Sequence, residues 1–218
     1  MRLQDQLFEQ RETAILDTAR QLFRDQPWDR VTIAEVASAT GIGKGTVYKH
    51  FPSKEALYAR LVLDLSHANL AELRALHAAH PPQQAMRLVL RRAFAQMLGD
   101  PVLAQLCQHC DRPEFQERLD ESYRQQFFHL EHQFQAFFGE ILNDTLEGHS
   151  LSQVDCQNLL WGVEACFNGV MARIASGGFE HWAEPIALDD YFQRVTDFII
   201  AGLNAQAAAL LAQPDRHE

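Results

Sequence analysis

Apolar residues Ile15, Ala19, Leu22 and Phe23 recur at helical spacing and predict a helix over about residues 5–26, which Pro27 stops. Ile33, Val36 and Ala37 share the next apolar face, and Val47 and Phe51, four apart, share another after Gly41. Beyond Pro52 a stripe through Leu57, Leu61, Leu65 and Ala68 predicts a long helix from Ser53 to about His80, ended by Pro81 and Pro82. Met86, Leu90, Ala93 and Met97 mark a helix to about Leu98, and Pro101 opens a short one to about Cys110. Phe115, Leu119, Tyr123, Phe127, Leu130, Phe134, Phe137 and Ile141 follow at 4-4-4-3-4-3-4 spacing, one continuous inward stripe. After Gly148 and Ser150, a helix over about 151–176 is apolar on two sides, with Leu159, Val163, Cys166, Val170 and Ile174 on one and Leu160, Phe167 and Met171 on the other. The last, over about 187–212, carries Tyr191, Val195, Phe198 and Gly202. No stretch alternates as a strand would, so the chain is predicted all-α, with about nine helices.

Residues 32–51 carry the strongest local signals. Thr32 and Glu35 are spaced as a capping box, so a helix starts at Ile33, with Val31 placed to staple onto Val36. Gly41 stands where the chain leaves that helix with positive φ, and Gly43 where a second helix is capped. Val47 and Phe51, with Ile42, turn toward the first helix. Lys44, Thr46, Tyr48, Lys49 and His50 are left for the other faces; they are donor-rich, include no acid, and suit a helix laid in a DNA major groove. The pattern is a helix-turn-helix.

With the helix before it and the start of the helix after it, this segment resembles the DNA-binding domain of TetR-type (tetracycline-repressor-like) transcriptional regulators. The motifs that carry the resemblance are Thr32, Ala37 to Gly41, Gly45 to Phe51 and Ser53 to Leu57, within residues 10–60. Two positions depart from the family pattern: Gly43 stands where a serine cap is usual, and Pro27 where a glycine usually ends the first helix. The resemblance implies three helices for DNA in residues 1–52 and six for ligand binding and dimerisation in 53–218, with helix 53–80 as the link. It implies that Tyr48, His50 and Lys54 touch phosphates, that Lys44 and Thr46 lie nearer base edges, and that the last two helices form a four-helix bundle with a second copy. Thr32 and Lys54 also stand at helix N-termini, whose amides and dipoles favour phosphate.

The formal net charge is −10, which changes the picture only when divided. Residues 1–60 carry nine Lys/Arg against eight Asp/Glu, net +1, leaving ten against twenty-one, net −11, for the remaining 158. The acid is segregated from the helix-turn-helix, which permits DNA binding without demanding it. The N-terminal residues include no apolar leader segment and no apolar run approaches membrane length, so a cytoplasmic protein is expected. Cys107-Gln-His-Cys110 is open to a metal or redox reading, yet it lacks the second half of a zinc site, and two thiols packed on one face of a short helix are the preferred reading.

The leading reading is a homodimeric, ligand-responsive regulator, a repressor released from a palindromic operator by a small apolar or aromatic molecule, with no cofactor. Candidate ligand contacts from the helices that line the family's pocket are Phe94, Phe127, Phe134, Phe138, Trp161 and Phe167, with Glu164 and Asn168 as polar partners that would be unfavourable to bury unpaired. Two other classes compete. A helical-bundle metalloenzyme needs inward acids and histidines at ligand spacing; Glu-x-x-His is absent, and neither His77-x-x-His80 nor His129-x-x-His132 has an acid placed to complete a site. A helix-turn-helix used for protein contacts predicts no salt-dependent DNA affinity.

Overall fold

The computed structural model describes residues 3–176 and 187–212, and among them every regular element is an α-helix. In chain order these are α1 (Leu3–Asp25), α2 (Ile33–Thr40), α3 (Lys44–His50), α4 (Lys54–Ala78), α5 (Pro82–Gly99), α6 (Pro101–Cys110), α7 (Pro113–Gln116), α8 (Glu121–Asp144), α9 (Gln153–Ala175) and α10 (Leu188–Leu211). The described residues thus hold ten helices rather than about nine. The extra one comes from the stripe between Phe115 and Ile141, which is broken after α7. Asp120 caps α8 by accepting from the Tyr123 amide at 3.0 Å, and Arg124 donates to the Leu119 carbonyl at 2.8 Å. Phe115 and Leu119 stay buried before the break, so the apolar spacing runs through it and conceals it.

The first compact unit comprises the chain up to Leu65 together with Gln105–Phe127. In it α1 packs on α2 and α2 on α3. Ile15, Ala19, Phe23, Val36, Val47 and Phe51 are each 3% exposed or less, and burial of each large apolar side chain stabilises by about 1.5–3 kcal/mol. Nearly every residue of α4 from Ala56 to Leu63 is buried, so this part of the helix is core on all sides. Trp28 packs at the end of the module: its carbonyl accepts from the Tyr58 hydroxyl at 2.9 Å, and its ring lies 4.9 Å from His109. Cys110 is fully buried and burial pushes its thiol well above the ordinary cysteine range, which favours the packing reading of the Cys107/Cys110 pair.

The second unit comprises Ser66–Ala104 and the chain from Phe128 onward. Here α10 packs on α5 and α9, and α5 on α9. Phe94 is fully buried, with its ring stacked 5.4 Å from Phe167 and 5.4 Å from Phe192. Arg87 pairs with Asp197, and Arg91 with Asp189 at 2.7 Å, across α5 and α10; as exposed pairs they fix register more than stability. Among the described residues no helix is long and apolar enough to cross a membrane.

Candidate functional site

The α2–turn–α3 unit is built by its caps. Thr32 is extended (φ −100°, ψ 154°); its hydroxyl accepts from the Glu35 amide at 3.2 Å, and the Glu35 carboxylate accepts from the Thr32 amide at 2.7 Å. Those bonds, backbone first, hold the Glu35 carboxyl below its ordinary value, so it stays ionised. Gly41 has φ 74°, and the Ile42 amide reaches back to the Ala37 carbonyl at 3.0 Å. A Cβ on Gly41 would meet nothing within 4 Å, so the constraint there is backbone handedness and not space. Gly43 is the N-cap of α3 without a side-chain bond, and the Thr46 amide donates to its carbonyl at 2.8 Å.

This geometry turns Lys44, Tyr48 and Lys49 outward as exposed side chains, with Thr46 half-buried beside them. Lys44 Nζ lies 5.7 Å from the centre of the Tyr48 ring, so these two form one surface. No acid lies on α3. His50 departs from the expected arrangement. Its side chain is 2% exposed, its ring lies 4.0 Å from Phe8, and Nδ1 is 3.7 Å from the Glu12 carboxylate, which also pairs with Arg60 at 2.8 Å. Its position beside Phe51 and three residues after Val47 puts it on the inward arc, which its polarity conceals in the sequence. Thr32 is bonded within its own cap. Lys54 is half-buried, donating to the Asp29 carbonyl at 2.6 Å with its ammonium 5.3 Å from the Tyr58 ring centre. Desolvation holds its pKa below the ordinary lysine value.

The candidate ligand residues do not form one cluster. In the second unit a narrow cleft is lined by Met86, Val89, Leu90, Phe138, Ile141, Leu142, Leu160, Val163 and Leu203, all apolar. Phe138 is the one candidate on its wall; Phe134 stacks 6.5 Å from it, and Phe94 and Phe167 belong to the stack with Phe192. Phe127 is half-buried and belongs to the first unit. Trp161, 59% exposed, lies with Glu164 and Asn168 on the open side of α9. The apolar arc of α9 therefore faces mainly one way, toward its own unit, with Val170 only 4% exposed; its exposed residues are Val154, Trp161 and small or polar ones.

Sequence reasoning missed the company of His77. Its Nε2 is 2.9 Å from the Asp144 carboxylate, so the reading that His77-x-x-His80 has no acid placed to complete a site is corrected: the acid comes from α8, distant in sequence.

The capped α2–turn–α3 is a helix-turn-helix within an all-helical described fold. Residues 15–61 match the profile of "Bacterial regulatory proteins, tetR family". Over 88 residues it is 33% identical to the HTH-type transcriptional regulator AcrR of Shigella flexneri, covering 40% of each chain. The chain spans less than half the length of the curated relatives it matches. Among solved structures, the transcriptional regulator FadR of Bacillus subtilis in complex with stearoyl-CoA superposes with a TM-score of 0.64 at 15% identity, covering 87% of this chain and 98% of that one. Thermus thermophilus FadR, a repressor in complex with lauroyl-CoA, gives 0.62 at 18% identity, covering 95% of this chain and 98% of that one. At such identities these two likenesses concern the fold.

Proposed function

We propose that this chain is a ligand-responsive, homodimeric repressor that binds a near-palindromic operator through α3 and is released when a small apolar molecule enters the second unit. The observation that carries the DNA-binding part is the outward, acid-free surface of Lys44, Thr46, Tyr48 and Lys49 on a helix whose opposite side, Val47, is fully buried. Residues 1–52 serve as the DNA-binding domain and 53–218 as the ligand and dimer domain, linked by α4. Lys44 and Thr46 read base edges; Tyr48, Lys49 and Lys54 contact phosphates, with Thr32 contributing through the α2 N-terminus it caps. His50 supports this set from behind by holding the end of α3 against Phe8 and Glu12. The chain performs no catalysis in this reading and works in the cytoplasm, where its operator is.

The ligand reading rests on the apolar wall of the cleft, which favours an acyl or aromatic group over a charged one. The two structural relatives bound to acyl-CoA support an acyl chain as the first ligand to test. Fluorescence anisotropy with operator fragments selected from random duplexes tests the whole. A selected near-palindrome bound with steep salt dependence and released by lauroyl-CoA is the expected result. A protein that selects no sequence at any salt concentration is a protein-interaction module instead.

A further inference from the structure

We propose that the second unit holds a site for a divalent transition-metal ion, built from His77, Glu140 and Asp144. Glu140 and Asp144 are one turn apart on α8 and share a face; His77 meets them from the last turn of α4. One ligand atom from each lies within 4.8 Å of the other two. A tetrahedral ion with bonds of about 2.0–2.2 Å needs its ligand atoms closer than that limit, a gap that small rotations of the exposed carboxylates close.

Three further observations favour an ion over a plain hydrogen-bonded pair. His77 is already aimed: its side chain is 14% exposed, its ring meets Phe137 edge-on at 5.9 Å, and Nε2 points at the Asp144 carboxylate 2.9 Å away. Glu140 and Asp144 are like charges on adjacent turns, an arrangement unfavourable in isolation that a dication reverses. Among the described residues, no cationic side chain is within ion-pair distance of Glu140. An imidazole with two carboxylates suits zinc and its transition-metal neighbours better than magnesium or calcium, which take oxygen ligands, and three protein ligands leave a position for water.

An ion here would clamp the last turn of α4 to α8. Any consequence for an operator rests on the regulator reading above, so the test is made without DNA. Untagged, EDTA-treated full chain is titrated with zinc chloride by calorimetry, and with cobalt chloride while the visible ligand-field bands are followed. One ion per chain is expected. Glu140→Gln and Asp144→Asn should each weaken it by about tenfold or more. Cys107→Ser and His132→Ala, outside the cluster, should leave it unchanged. Because Glu140 is exposed, its variant should keep the fold, which thermal melting of the metal-free protein verifies; His77→Ala also removes the contact with Phe137 and serves only as a supporting arm. Absence of stoichiometric binding in the unmodified chain, or wild-type affinity in both carboxylate variants, overturns the proposal.

Discussion

Lys54 donates its ammonium to the backbone carbonyl of Asp29 at 2.6 Å, tying the first turn of α4 to the segment that leads into α2. The side chain that the family resemblance assigns to phosphate is therefore also a brace within the helix-turn-helix module. Its removal should act in two ways. Lys54→Ala should weaken binding to all DNA sequences and lower the slope of log affinity against log salt by about 1, the signature of one lost phosphate contact. It should also lower stability by about 0.5–1.5 kcal/mol through the lost bond to Asp29. Anisotropy titrations at several salt concentrations separate the two, and an unchanged slope would leave Lys54 as a brace alone.

The Thr32–Glu35 box should make the start of α2 sensitive to acid. The Glu35 carboxyl is depressed in the folded chain, first by the Thr32 amide and then by its hydroxyl. Its stabilisation is thus fully present above the ordinary glutamate value near 4.5 and is lost as pH falls through the lower folded value. Thr32→Ala should cost about 1 kcal/mol at neutral pH. Glu35→Gln cannot titrate, so that acid-dependent loss is absent from the variant and its curve should converge with the wild type's as pH falls. Melting temperatures of the three proteins between neutral and acid pH check this, and parallel curves for wild type and Glu35→Gln would remove Glu35 from the cap.

Much of this module is legible in the sequence because its signals are local. Thr32, Glu35, Gly41 and Gly43 each stand where a cap or a sign of φ requires them, within a few residues of what they bond. The failures have the opposite cause. His50 reads as outward because it is polar, but Phe8 and Glu12, which receive it, lie on α1 and leave no mark near residue 50. Glu164 and Asn168 read as pocket residues because their helix has apolar residues on several sides, yet one wide arc of α9 is buried and they stand on the other. Asp144 and Glu140 reach His77 through tertiary packing that no spacing rule encodes.

The open sides of the last two helices bear on the proposed dimer. Trp161 on α9 is 59% exposed and Phe198 on α10 is 71% exposed, large apolar groups that a partner of the same chain would cover. Trp161→Glu and Phe198→Glu place charge on surfaces that the single chain leaves open, so each should fold and give monomers by light scattering. Val170 is a poorer probe than the helical pattern suggests. At 4% exposure within its own unit, Val170→Glu should unfold the chain, while Gly202→Glu, with no atom within 4 Å of the new Cβ, should act at the interface. If both exposed-site variants stay dimeric, the association runs through another surface.

The apolar cleft leads to the sharpest test of the ligand reading. It is too narrow for more than a water-sized body, so an acyl chain entering between Leu90, Phe138 and Val163 must displace the helices that carry them. Such a ligand favours whichever arrangement has the wider cleft, and it can shift operator binding only by its differential affinity for the two arrangements. Coupling of about 1–3 kcal/mol is the usual size, roughly 5- to 150-fold in operator affinity, and reciprocity requires operator DNA to weaken the ligand by the same factor. Val163→Phe overfills the cleft, so it should reduce lauroyl-CoA affinity by about tenfold or more and, because it displaces the same helices, weaken operator binding as the ligand does. Glu164→Gln, on the exposed side of α9, should leave an apolar ligand's affinity unchanged. Calorimetry on the two variants decides between sites: loss of affinity in Glu164→Gln with none in Val163→Phe would move the ligand from the cleft to the open side of α9.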